Sequence, residues 1–219
     1  MRNRLLLLWV WLLLALTAHA QNWDINTLRR ANLERNHSLD GLFRGFTESA
    51  SPVAFGGSAL LIGLGYAGHD SVARRKALGI GVSVVGATAL TTLLKYAIHR
   101  PRPFVTYPDL EPLVSGGSPS FPSGHTTDAF AFATALSLSY PKWYVVVPAY
   151  AWAGAVGYSR LHLGVHYPSD VLAGAVVGAG TAFVTHKLNQ RLASRGLFGH
   201  RLSHRPTLPV QVSLHYYPL

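Results

Sequence analysis

ALGIGVSVVGATALTTLL, residues 77–94, contains no acid and no base, and its only polar side chains are those of Ser83, Thr88, Thr91 and Thr92. A water-soluble helix turns a polar face to solvent about every 3.6 residues, and this stretch has none to turn. The same freedom from Lys, Arg, Asp and Glu recurs over residues 49–69, 129–141, 143–159 and 171–186. Five such stretches predict an all-α membrane bundle of five helices. Several are shorter than the ~20 residues that usually span a bilayer, but they are rich in the small residues that let helices pack closely in lipid.

Composition agrees with this reading. The chain has 219 residues, 49% hydrophobic and 13% charged, with a mean hydropathy of +0.21. Soluble domains are about 25% charged. Such a balance argues against both an ordinary soluble enzyme and disorder, and the length predicts one domain. The absence of cysteine excludes a disulfide framework, a thiolate zinc site and a cysteine nucleophile.

The first twenty residues, MRNRLLLLWVWLLLALTAHA, place Arg2 and Arg4 before an apolar run and end in Ala18-His19-Ala20. This pattern reads as a signal peptide cleaved after Ala20. If the segment is retained, it adds a sixth membrane helix. Residues 21–51 form a polar arm expected at the outer face, residues 52–187 the helical domain, and residues 188–219 a basic cytoplasmic tail.

The formal charge of +10, from 19 Lys plus Arg against 9 Asp plus Glu, has to be placed before it is interpreted. Alternating helices put Arg74, Arg75, Lys76, Lys142, Lys187, Arg191, Arg195, Arg201 and Arg205 on one side, against Asp70 alone. That excess marks the cytoplasmic side, where Trp143 and Tyr144 suit an interfacial belt. The charge is therefore a membrane anchor, and no nucleic-acid partner is expected.

The opposite face receives three blocks: Lys95 to Pro103 after the second helix, Phe121 to Thr127 before the third, and Ser159 to Asp170 between the fourth and fifth. Lys95, Arg102 and Arg160 are cations at apolar helix ends with no acidic cluster to balance them. Such an arrangement is costly unless an anion visits. Arginine forks suit phosphate oxygens, and lysine adds a point charge. Ser123 and Gly124 open a helix whose free N–H groups and dipole favour an anion, although Ser123 also reads as a simple cap. Asp170 stands four residues after His166, in reach of its imidazole, which leaves the other ring nitrogen to attack. His125 supplies an acid for a leaving oxygen and then a base for water.

In order and spacing these blocks resemble the signature of the type 2 phosphatidic acid phosphatase superfamily: Lys-x6-Arg-Pro, Pro-Ser-Gly-His and Ser-Arg-x5-His-x3-Asp. All eleven fixed positions are present: Lys95, Arg102, Pro103, Pro122, Ser123, Gly124, His125, Ser159, Arg160, His166 and Asp170. The resemblance implies a phosphohistidine on His166 oriented by Asp170. It also implies acid–base work by His125, and phosphate held by Lys95, Arg102, Ser123, Gly124 and Arg160. No metal or other cofactor is expected.

The substrate implied is a lipid phosphate or diphosphate in the outer leaflet of a bacterial inner membrane. Candidates are phosphatidic acid, phosphatidylglycerol phosphate, undecaprenyl diphosphate and the phosphate of lipid A. A secreted nonspecific acid phosphatase and a vanadate haloperoxidase share the pocket, and a non-catalytic transporter or scaffold is the alternative from another class. His99 and His162 fall inside the motif spacings without being fixed positions. Tyr107 and Phe121 are candidates for the lipid entrance.

Overall fold

Helix Gly124–Ser139 is the axis of the molecule, and the other long helices surround it. The computed structural model describes residues 22–194, so the signal segment of residues 1–20 and the tail beyond 194 lie outside the described residues. In chain order the elements are α1 (22–33), a 3-10 turn His37–Leu39, α2 Asp40–Ser51, a π-helical segment Pro52–Gly56 and α3 Gly57–Ala67. Then follow α4 Ser71–Ile98, the single turn α5 Pro103–Thr106, α6 Gly124–Ser139, α7 Trp143–His162 and α8 Pro168–Ser194. There is no strand among the described residues.

Each charge-free stretch falls on one of the five long rods, with 49–69 and 129–141 running two residues past the helix end. The rods overrun those stretches because their ends carry the charged side chains: Lys95 is in the last turn of α4, Arg160 in that of α7 and Asp170 in the first turn of α8. The first rod also starts earlier than its charge pattern suggests. α2 passes into α3 through the π segment at Pro52, whose missing N–H disturbs the regular ladder.

Among the described residues, three rods are long and apolar enough to cross a membrane: His37–Ala67, Ser71–Thr106 and Pro168–Leu192, with mean hydropathies of 1.3, 1.9 and 1.4. α6 is shorter, at 16 residues, and is the most enclosed. Its Ala131, Phe132 and Ala135 pack against Ala54, Ile80, Val84, Ala87 and Ala182, while Ala129 and Ala133 meet Ala50, Ala153 and Val156. Large apolar side chains such as Leu60, Leu64, Val82, Leu93, Val147 and Val176 point outward instead. In water such a surface would aggregate; in lipid it is the solvated face. Trp143 and Tyr144 stand exposed at the start of α7, as an interfacial belt requires.

The closest helix approach is between α6 and α8, and glycine permits it. A Cβ at Gly174 would lie 2.6 Å from the carbonyl oxygen of Ser123, and one at Gly178 would lie 2.3 Å from that of Thr127. Only a bare backbone fits at either point, which is the small-residue packing expected in lipid. Through it α8 fixes the start of α6, where the histidine block lies.

Candidate active site

All three blocks meet at one end of the bundle, joined by backbone hydrogen bonds. The N–H of Ser120 donates to the carbonyl of Arg100 at 2.8 Å, and that of Ser123 to the carbonyl of Asp170 at 3.0 Å. α4 ends at His99, whose left-handed backbone (φ 51°) closes the helix with an N–H bond to Lys95 and turns the chain into Arg100-Pro101-Arg102-Pro103.

The three cations are enclosed rather than snorkelling. Lys95 and Arg102 are each 8% exposed and Arg160 is 3%, and none forms an ion pair among the described residues. Lys95 donates to the carbonyl of Pro119 at 2.5 Å, and Arg102 donates from Nε to Ser118 at 2.8 Å and from Nη1 to Val165 at 3.2 Å. Arg160 donates from Nη1 to the Thr47 hydroxyl, while its buried Nε has no partner among the described residues. Buried positive charge without an acid, and a guanidinium N–H left unmatched, describe a site built to receive an anion.

Ser123 precedes α6 but makes no side-chain cap bond. Its hydroxyl accepts from Thr126 at 2.9 Å. The cap reading is therefore not realised through the side chain, and the first N–H groups of α6 remain for a ligand. A Cβ at Gly124 would meet only Lys95 Cε, at 3.9 Å. No protein atom demands glycine there; what it leaves open is the space in front of Lys95.

His166 lies in the turn between α7 and α8, fully enclosed. Its Nδ1 faces Asp170 Oδ2 at 3.4 Å and the Ser120 hydroxyl at 3.4 Å, so Nε2 is the nitrogen free to attack. Burial drives the pKa of the ring down to about 3, against the upward pull of Asp170, so the imidazole is neutral and nucleophilic across the physiological range. Asp170, with no exposed surface, also accepts from the Tyr167 N–H at 3.0 Å, the Ser120 hydroxyl and Arg100 Nη1 at 2.7 Å. The ring of His125 forms no hydrogen bond among the described residues and lies within electrostatic range of Arg160, Arg102 and Lys95.

This end of the bundle also contains groups that motif reading passes over. Arg100 and Ser120 grip Asp170, Thr47 holds Arg160, and Asp24 on α1 reaches Arg100 and Ser169. Arg100 stands two residues before Arg102 in Arg-Pro-Arg-Pro and is not a fixed position of the motif, so the spacing from Lys95 passes over it. His162 is buried against Asp40, at 2.7 Å, and against the ring of Phe43. Tyr107 packs with Leu28 of α1 and lies under Arg29.

Comparison with known proteins now decides the family. The model of the PAP2 superfamily matches residues 76–194, more than half of the chain. The chain belongs to the PAP2 superfamily. It is 38% identical to a lipid A 1-phosphatase of Rhizobium etli over 67% of its own length and 68% of that protein. It is 28% identical to the undecaprenyl-diphosphatase BcrC of Bacillus subtilis over 78% of this chain and 86% of that one. Among solved structures, the transmembrane PAP2-type phosphatidylglycerolphosphate phosphatase of Bacillus subtilis superposes with a TM-score of 0.66 at 28% identity, covering 88% of this chain and 98% of its own. This PAP2 protein is thus a hydrolase of the membrane lipid-phosphatase type, and the relatives give no support to a soluble phosphatase or a non-catalytic scaffold.

Proposed function

We propose that the protein removes a terminal phosphate from a membrane lipid through a phosphohistidine on His166, at the outer face of a bacterial inner membrane. The observation that carries this reading is the pairing of two features at one end of the bundle: three buried cations without acids, and a neutral imidazole whose Nδ1 is committed to Asp170. Phosphoryl transfer needs charge stabilisation over three oxygens and a nucleophile in line with the leaving group. Lys95, Arg102, Arg160 and the N–H groups at the start of α6 supply the first, and His166 Nε2 supplies the second.

In the first step, with His125 protonated against the negative charge of the bound phosphate, Nε2 of His166 attacks phosphorus, and the bond to the lipid oxygen breaks as His125 donates its proton to that oxygen. Asp170 meanwhile stabilises the ring that gains positive charge. In the second step His125, now neutral, takes a proton from water, whose oxygen attacks the phosphohistidine and releases phosphate. Every charge in this cycle is met by a side chain of the chain itself, so activity is expected to survive chelation.

The lipid A 1-phosphatase likeness supports the 1-phosphate of lipid A as the first substrate to try, with undecaprenyl diphosphate and phosphatidylglycerol phosphate beside it. Phosphate release from these purified lipids and from phosphatidic acid in detergent is the test. Release from at least one of them by the wild type and none by His166→Ala is the expected result. Release from none, or undiminished release by His166→Ala, overturns the reading.

A further inference from the structure

Asp170 does not stand alone behind His166. Its Oδ1 accepts from Arg100 Nη1 at 2.7 Å, and the other end of the same guanidinium, Nη2, donates to Asp24 Oδ2 at 2.8 Å. Asp24 comes from α1, 76 residues away in sequence. It also accepts the Ser169 N–H at 2.8 Å and the Ser169 hydroxyl, so it caps the first turn of α8 from another helix. The guanidinium carbon of Arg100 lies over the ring of Tyr167, 3.9 Å from its centroid, next to the nucleophile. Asp24 is buried, and α1 is held down by Ile25 and Leu28 against Leu110 and Tyr167. Asn32 adds side-chain bonds to the backbone of Glu111 and His162.

We propose that Asp24 is a positioning residue for phosphoryl transfer: it holds one arm of Arg100 so that Asp170 keeps its second oxygen for His166. The reason is geometric. An arginine fork prefers to close on one carboxylate with two parallel bonds. With Asp24 neutralised, Arg100 would rotate fully onto Asp170, draw Oδ2 away from Nδ1 and weaken the group that supports the developing imidazolium. With Asp24 in place the guanidinium is shared between two acids, and Asp170 gives Oδ1 to Arg100 while Oδ2, held by the Ser120 hydroxyl and the Tyr167 N–H, faces His166. α1 is on this account part of the catalytic apparatus. The proposal rests on His166 as nucleophile and Asp170 as its partner.

The test is a double-mutant cycle in detergent with p-nitrophenyl phosphate as substrate and orthovanadate as probe of the phosphate pocket. Asp24→Asn is expected to lower kcat about tenfold, the lower end of what loss of an outer partner costs, with KM and orthovanadate inhibition within about twofold of wild type. Asp24→Glu restores most of the loss. In an Asp170→Asn background, where Arg100 has no carboxylate to close on, Asp24→Asn costs less than about twofold more. Unchanged kcat in Asp24→Asn overturns the proposal, as does the same fractional loss in both backgrounds, or loss of orthovanadate binding together with kcat, which would make Asp24 a structural strap. Turnover by His166→Ala in the same assay would instead refute the underlying mechanism, so the two failures are distinguishable.

Discussion

At the residue scale the proposed phosphate pocket is defined by charges that form no ion pair among the described residues. Arg160→Ala is expected to reduce kcat/KM by about 10²–10³-fold, the usual effect of removing one donor aimed at developing charge, and to weaken orthovanadate inhibition in parallel. Unchanged orthovanadate inhibition would remove Arg160 from the phosphate shell. His166 makes a second prediction. Its lowered pKa means that the folded protein resists the proton an unfolded histidine takes up near pH 6.5, so its contribution to stability declines as pH falls below about 6.5. Its catalytic form, by contrast, is already neutral. The nuclear magnetic resonance signal of His166 should show no titration between pH 5 and 8, and a midpoint near 6.5 would contradict the burial argument. What was legible in the sequence at this scale was the part whose spacing is local: His166 with Asp170 four residues on, and Ser123-Gly124-His125 at a helix start. Asp24, Thr47, Arg100 and Ser120 were not legible, because their roles come from contacts between distant segments that no periodicity announces.

At the element scale, charge-free runs located all five rods but not their ends. Charged side chains of the site lie inside the terminal turns of α4, α7 and α8, so the runs stop short of the helices that contain them. Pro52 likewise reads as a boundary and proves to be a π-helical passage within one rod. The dominant packing contact, α6 against α8, depends on Gly174 and Gly178. Gly174→Val places side-chain atoms where the carbonyl of Ser123 sits. Overpacking of this kind costs about 1–3 kcal/mol, and here it also displaces the start of α6. The variant is expected to melt at lower temperature and to lose activity, whereas Gly180→Val, with open space around its Cβ position, should match the wild type in both. Equal melting of the two variants would contradict the close approach.

At the scale of the whole molecule, an apolar exterior, a basic end and a chemical end make the proposed orientation testable. The chain has no cysteine, so single introduced cysteines report sidedness cleanly. Ser115→Cys, exposed near the site, should react with a membrane-impermeant maleimide in spheroplasts, while His69→Cys, exposed in the loop between α3 and α4, should react only after lysis. The reverse pattern would invert the topology. Active protein is expected in detergent extracts and not in osmotic-shock fluid, because the outward face of the bundle carries Leu60, Leu64, Val82 and Val176.

The central claim is a covalent phosphate on His166, and trapping it is the most direct measurement. Enzyme mixed briefly with a lipid phosphate and quenched in alkali, where phosphohistidine survives, should yield a phosphorylated peptide containing His166 in the wild type. In His125→Ala the signal should both form and decay more slowly, because that histidine serves both steps, and it should be absent from His166→Ala. Phosphate on His125, or turnover by His166→Ala with no phosphoenzyme, would contradict the account.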